Sequence, residues 1–133
     1  VSFEIRFNSR VQGPISSGKM QRDAAAYSHD VADAIADSAK DTWLNNLHGS
    51  LRHQTPYYTR HIKKRPLGAN RYEIHDSGIV YGHWLEGTGS RNAPVTIFPG
   101  YHAQERAEAE VNVKRGNIAR RILRRYRASG RLI

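Results

Sequence analysis

An α+β fold, with a long N-terminal helix packed on a small antiparallel sheet and a second long, basic helix at the C-terminus, follows from three observations. Residues 20–47 are rich in alanine and place Tyr27, Val31, Ile35, Trp43 and Leu47 at spacings of four or eight, with Ala39 in the gap, the repeat of one buried helical stripe. Residues 1–10 alternate, with Val1, Phe3, Ile5 and Phe7 against Ser2, Glu4, Arg6 and Asn8, which is the period of a half-buried strand. Residues 101–128 return to helical spacing and end in a run of arginines.

Between these elements the chain supplies punctuation and a hairpin. Gly13, Pro14 and Gly18 mark a loop before the first helix, and Gly49 offers a stop after it. Tyr57, Tyr58, Thr59 and Ile62 are strand formers, as are Tyr72 and Ile74. Strands over 56–64 and 71–76 are therefore expected, joined by a turn at Pro66–Asn70 and closed by Asp76-Ser77-Gly78. Periodicity leaves 79–86 open between strand and short helix, and 95–98 can pair briefly as a strand. The last helix, Tyr101–Ala128, is expected to bend or break near Val111, Val113 and Gly116, which are weak helix formers.

The chain has 133 residues, enough for one domain with a substantial core. It has no cysteine, which excludes disulfides and thiolate metal sites. No run approaches the length of a membrane span. A soluble product made in a cytoplasm is expected, with Val1 following a removed initiator methionine. Charge is unevenly spread. Lys114, Arg115, Arg120, Arg121, Arg124, Arg125, Arg127 and Arg131 make eight basic groups within 112–133, where no acid occurs. Taking these eight from the 21 Lys and Arg leaves 13 basic groups against 12 acidic in residues 1–111. The chain is thus divided into an α+β body, 1–111, and a basic helical arm, 112–133. Such asymmetry points to a polyanionic or acidic partner.

The most distinctive stretch is Gly78–Ala107. Tyr81, Trp84, Phe98 and Tyr101 are large aromatic anchors. Between them lie Glu86, the glycine-rich Gly87-Thr88-Gly89, Arg91 and the Phe98-Pro99-Gly100 corner. This order resembles the tail-completion, or neck, protein family of long-tailed bacteriophages, carried here by Tyr81, Gly82, Trp84, Leu85, Glu86, Gly87, Thr88, Gly89, Phe98, Pro99 and Ala107. His48-Gly49-Ser50-Leu51-Arg52 resembles a second segment of that family, with His48 in a threonine's place. The resemblance implies a short helix over 79–86. It also implies a structural virion protein at the head–tail junction, without enzymatic activity or cofactor. The partners it implies are a homo-oligomeric ring, sixfold or twelvefold, the adjoining portal-adaptor or stopper proteins, and the tail-terminator or tube proteins, with no membrane. Contact with packaged DNA stays open.

Catalytic and metal chemistry have weaker signals. His83 and Glu86 are three apart and could join His102 or His75 around an ion, but no spacing matches a specific metal motif. Gly87–Arg91 lacks the lysine and hydroxyl of a phosphate-binding loop. Tyr57, Tyr58, Arg60 and His61 resemble a ribonuclease's residues in composition, so a small basic nucleic-acid-binding protein, or ribonuclease toxin, is the alternative function. In the neck reading Trp43, Trp84 and Phe98 are expected to be buried. The apolar Ile118/Ile122/Tyr126 edge of the arm is expected to dock on a neighbouring subunit or neck protein, so truncation after Asn112 should leave a folded monomer that fails to join heads to tails.

Overall fold

The alanine-rich stretch forms one helix, α1 (Gly18–Ser50), longer at both ends than its apolar repeat requires. The computed structural model describes residues 2–9, 18–50, 56–79, 82, 86 and 102–132. The stripe is buried as the spacing predicts, through Tyr27, Val31, Ile35, Ala39, Trp43 and Leu47. Ala32 and Ala36 are also fully buried, and their small side chains allow neighbours to approach the helix closely.

The N-terminal alternation forms β1 (Ser2–Arg6). Phe3 and Ile5 face the core, and Phe3 meets the Trp43 ring at 6.0 Å between centroids. β1 is an edge strand. It pairs antiparallel with β3 (Arg71–His75), which also pairs with β2 (Lys63–Gly68), giving the order β1-β3-β2. Tyr72 and Ile74 continue the buried face. On the outer face Arg71 pairs with Glu4 at 2.9 Å and Arg65 with Glu73 at 2.7 Å. These are exposed cross-strand ion pairs and contribute register more than stability.

The hairpin differs from its expected form in two places. Pro56–Arg60 is not strand but a single helical turn, α2. Proline suits a first helical position, and the helical turn carries both Tyr58 and Ile62, four residues apart, into the core. Pro66 is not in the turn but within β2, opposite Tyr72, with a bulge between Pro66 and Gly68. The turn shrinks to Ala69-Asn70. β2 tolerates proline because it is an outer strand, where a missing N–H costs no ladder bond. Its Lys63, Lys64, Arg65 and Pro66 also protect that edge against pairing with other chains. Lys64 reaches back to Asp33 at 2.5 Å and Asp37 at 2.7 Å on α1.

The last element, α3 (Ala103–Ala128), runs without the expected break through Val111, Val113 and Gly116. It lies antiparallel to α1: Asn46 Nδ2 donates to Ala103 O at 3.1 Å near one end, and Tyr27 Oη donates to Ala119 O at 2.9 Å towards the other. Ala103, Ala107, Val111, Ile118, Ile122 and Tyr126 are buried. They join α1, α2 and the sheet in one core. That packing outweighs the low helix propensity at the centre, as tertiary context commonly does. Gly116 is exposed, and a Cβ there would sit 3.6 Å from the Arg120 guanidinium, an ordinary contact. Gly116→Ala is therefore expected to stabilise the protein by about 0.4–1 kcal/mol, seen as a higher urea midpoint at unchanged slope. A lower midpoint would mean that the helix needs the glycine.

Candidate functional site: the motif anchor and the basic face

Of the residues within Gly78–Ala107 that carry the resemblance, Gly82, Glu86 and Ala107 lie among the described residues; all three are buried, and the first two are held by specific contacts. Gly82 is buried in helical backbone, and its N–H donates to Ile79 O at 3.0 Å. A Cβ at this position would overlap Asp76 Oδ2 and lie 3.1 Å from Tyr58 Oη. Asp76 itself is fully buried. Its Oδ2 accepts from Tyr58 Oη at 2.9 Å, and its Oδ1 accepts from Gly78 N at 3.1 Å. The end of β3, the α2 turn and the start of the motif therefore meet at one carboxylate. Gly82 is required there because nothing larger fits beside it.

Glu86 carries the same logic to the last helix. It is 5% exposed, and its carboxylate spans the first turn of α3: Oε1 accepts from Gln104 N at 2.8 Å and Oε2 from Glu105 N at 3.0 Å. A helix start leaves several N–H groups without partners. Here the residue in the capping position, His102, has φ 52° and gives no side-chain cap. Glu86 supplies the cap from elsewhere in the sequence. Its negative charge also complements the positive end of the helix dipole.

Glu86, His102 and Glu105 bring ligand-type atoms within 4.8 Å of one another. Of the sequence-predicted metal set this joins Glu86 and His102. His75 is separate and accepts from Ser77 N at 3.0 Å. Both oxygens of Glu86 are already engaged by amides, and a helix N-terminus is electropositive, so the arrangement favours an anion's role over a cation's. The tyrosine-rich set does not converge either. Tyr58 is turned into the core, while Tyr57 is 50% exposed and packs against His61, the rings tilted by 40° with centroids 4.4 Å apart.

No protein-family model, curated protein or solved structure matches this chain. Among the described residues no helix is long and apolar enough to cross a membrane.

The basic segment is where the structure departs furthest from expectation. Its apolar edge is not free to dock on a neighbour: Ile118, Ile122 and Tyr126 are 7%, 2% and 6% exposed within this chain, packed with α1. The segment after α3 is tied back as well. Arg131 lies over the Tyr126 ring at 4.1 Å, and Leu132 N donates to Asp23 Oδ2 at 3.3 Å. Arg115 donates to Arg6 O at 2.6 Å, and Arg120 to Asn117. Lys114, Arg121, Arg124, Arg125 and Arg127 are exposed. Among the described residues no carboxylate pairs with these five.

Tyr126 also donates to Asp30 on α1. Burial first, and then this bond, push its hydroxyl pKa from 10.0 up to about 12. Below pH 10 the proton is held whether or not the chain is folded, and the full contribution is present. Between 10 and about 12 the unfolded chain loses the proton first. Stability must therefore fall as pH rises through this window, by roughly 1–3 kcal/mol from this group. Urea unfolding across the window should show a shallower alkaline decline in Tyr126→Phe than in wild type. Parallel declines would contradict the assignment.

The remaining site residues singled out in the sequence, Tyr81, His83, Trp84, Gly87, Thr88, Gly89, Arg91, Phe98, Pro99 and Tyr101, lie outside the described residues. So do Leu51, Arg52 and the possible strand at 95–98. Sequence reasoning missed Asp76 as a buried hub. Its one visible signal was the Asp-Ser-Gly turn, which Asp76 makes by accepting from Gly78 N.

Proposed function

We propose that this chain is a structural protein of a tailed-bacteriophage neck, joining the capsid portal assembly to the tail tube as one subunit of an oligomeric ring. The motif resemblance suggests the family. The observation that carries the reading is the use made of Gly82 and Glu86. Both serve architecture, Gly82 by close packing on Asp76 and Glu86 by capping α3. A joining protein needs such a rigid body from which loops and surfaces are presented, and it needs no reacting groups. The virion neck is the corresponding location, with synthesis in the bacterial host.

The test is genetic and visual. A phage lacking this chain is expected to yield filled heads and separate tails in electron micrographs of the lysate, and supplying the chain in trans should restore joined particles. Normally joined particles without the chain would overturn the proposal.

A further inference from the structure

We propose that the outward face of α3, from Lys114 to Arg127, binds the phosphate backbone of double-stranded DNA without selecting sequence. Lys114, Arg121 and Arg125 fall at i, i+7 and i+11, one stripe about 16 Å long at 1.5 Å per residue. With Arg124, Asn117 and the edge of Ile118 they line an open groove of about 620 Å³. This inference does not depend on the neck reading.

Three observations select the partner. First, among the described residues no carboxylate lies within ion-pair distance of Lys114, Arg121, Arg124, Arg125 or Arg127, though Arg125 shares a second groove with Asp30, Asp33 and Asp37. Of the chain's carboxylates, Asp41 and Glu110 alone make no hydrogen bond or ion pair among the described residues. Like charges three and four apart on a helix repel, so Arg121, Arg124 and Arg125 oppose one another until an anion lies across them. A second copy of the chain brings the same net charge of +9, so two copies repel overall. Second, the face lacks an anchor for a protein. Stable protein interfaces centre on buried apolar or aromatic side chains. The edge expected to provide one is already in the core, which leaves only the 82% exposed Val113 as a large apolar side chain. Third, the face has no exposed aromatic on which single-stranded bases could stack. Its one amide, Asn117, has its oxygen taken by Arg120, so the face offers donors and positive charge, which suits phosphate oxygens over base edges. A straight row of arginines suits the dense, rigid charge of duplex DNA.

Fluorescence anisotropy with two labelled DNA duplexes of unrelated sequence tests this directly. The full chain should bind both equally, with affinity falling steeply as salt rises. The triple variant Arg121→Gln/Arg124→Gln/Arg125→Gln should bind at least about tenfold more weakly. Its log–log salt slope should be smaller by about 2.7, at 0.9 for each lost phosphate contact. A control triple, Arg22→Gln/Lys40→Gln/Lys63→Gln, removes the same charge elsewhere and should stay within about threefold of wild type. Thermal melts should show the first triple as stable as wild type or more so, since it relieves like-charge repulsion. Absence of DNA binding at low salt would overturn the proposal. So would equal losses in the two triples, or tighter binding to polyglutamate than to DNA; that last result would assign the face to an acidic protein.

Discussion

Ending the chain after Asn112 will leave a protein that does not fold cooperatively. The truncation removes Ile118, Ile122 and Tyr126 from the core and uncovers Tyr27, whose ring meets that of Tyr126 at 5.6 Å between centroids. Each large buried apolar side chain contributes roughly 1.5–3 kcal/mol, and the lost segment also carries the bonds to Ala119 O, Asp30 and Asp23. The total is comparable with the whole stability of a typical domain, about 5–15 kcal/mol. Scanning calorimetry of the truncated chain should show no cooperative transition. A sharp transition near that of the full chain would mean that 113–133 is a dispensable arm after all.

The second large effect is expected at the Asp76 hub. Asp76→Ala leaves the buried Tyr58 hydroxyl and the Gly78 amide without their acceptor, at a cost of about 2–4 kcal/mol. Gly82→Ala forces a methyl into the same carboxylate, at a cost of about 1–3 kcal/mol. The two should not add. With the Asp76 carboxylate gone the overlap disappears and only the 3.1 Å approach to Tyr58 Oη is left, so the double variant should be more stable than the sum of the single effects implies. A double-mutant cycle from urea unfolding measures this. Additive effects would show that Gly82 and Asp76 do not share the space assigned to them.

Much of the fold was legible because it rests on repeats that survive in a single sequence. Tyr27, Val31, Ile35, Trp43 and Leu47 announced α1, and Phe3 and Ile5 announced β1. Tyr57, Tyr58, Thr59 and Ile62 read as strand from their propensities; the i, i+4 relation of Tyr58 and Ile62 spans a single turn, too short a pattern to announce a helix in a sequence. Pro66 looked like a turn because its tolerance in β2 depends on that strand being at the edge, which is a property of the sheet order. The Ile118/Ile122/Tyr126 edge was correctly seen as apolar. What sequence could not say was whose surface covers it, and the nearer answer is α1 of the same chain.

The candidate site was less legible. Gly82 and Glu86 stood out as motif letters, but their work is done on residues distant in sequence: Asp76 and Tyr58 for one, the amides of Gln104 and Glu105 for the other. A cap supplied from 18 residues upstream has no local signature. Lys114, Arg121, Arg124, Arg125 and Arg127 were evident from composition, while the lack of an ion pair to them among the described residues is visible only once the carboxylates are placed.

The claim on which the rest depends is that the motif glutamate is a structural lock on α3. Amide hydrogen exchange at Gln104 and Glu105, in wild type and Glu86→Ala, with and without added Zn²⁺ or Mn²⁺, tests it most directly. Both amides should be protected in the metal-free wild type, lose protection in the variant, and be indifferent to either ion. Fast exchange in the metal-free wild type, with protection appearing only when an ion is added, would show instead that Glu86, His102 and Glu105 form a metal site and that the cap is secondary.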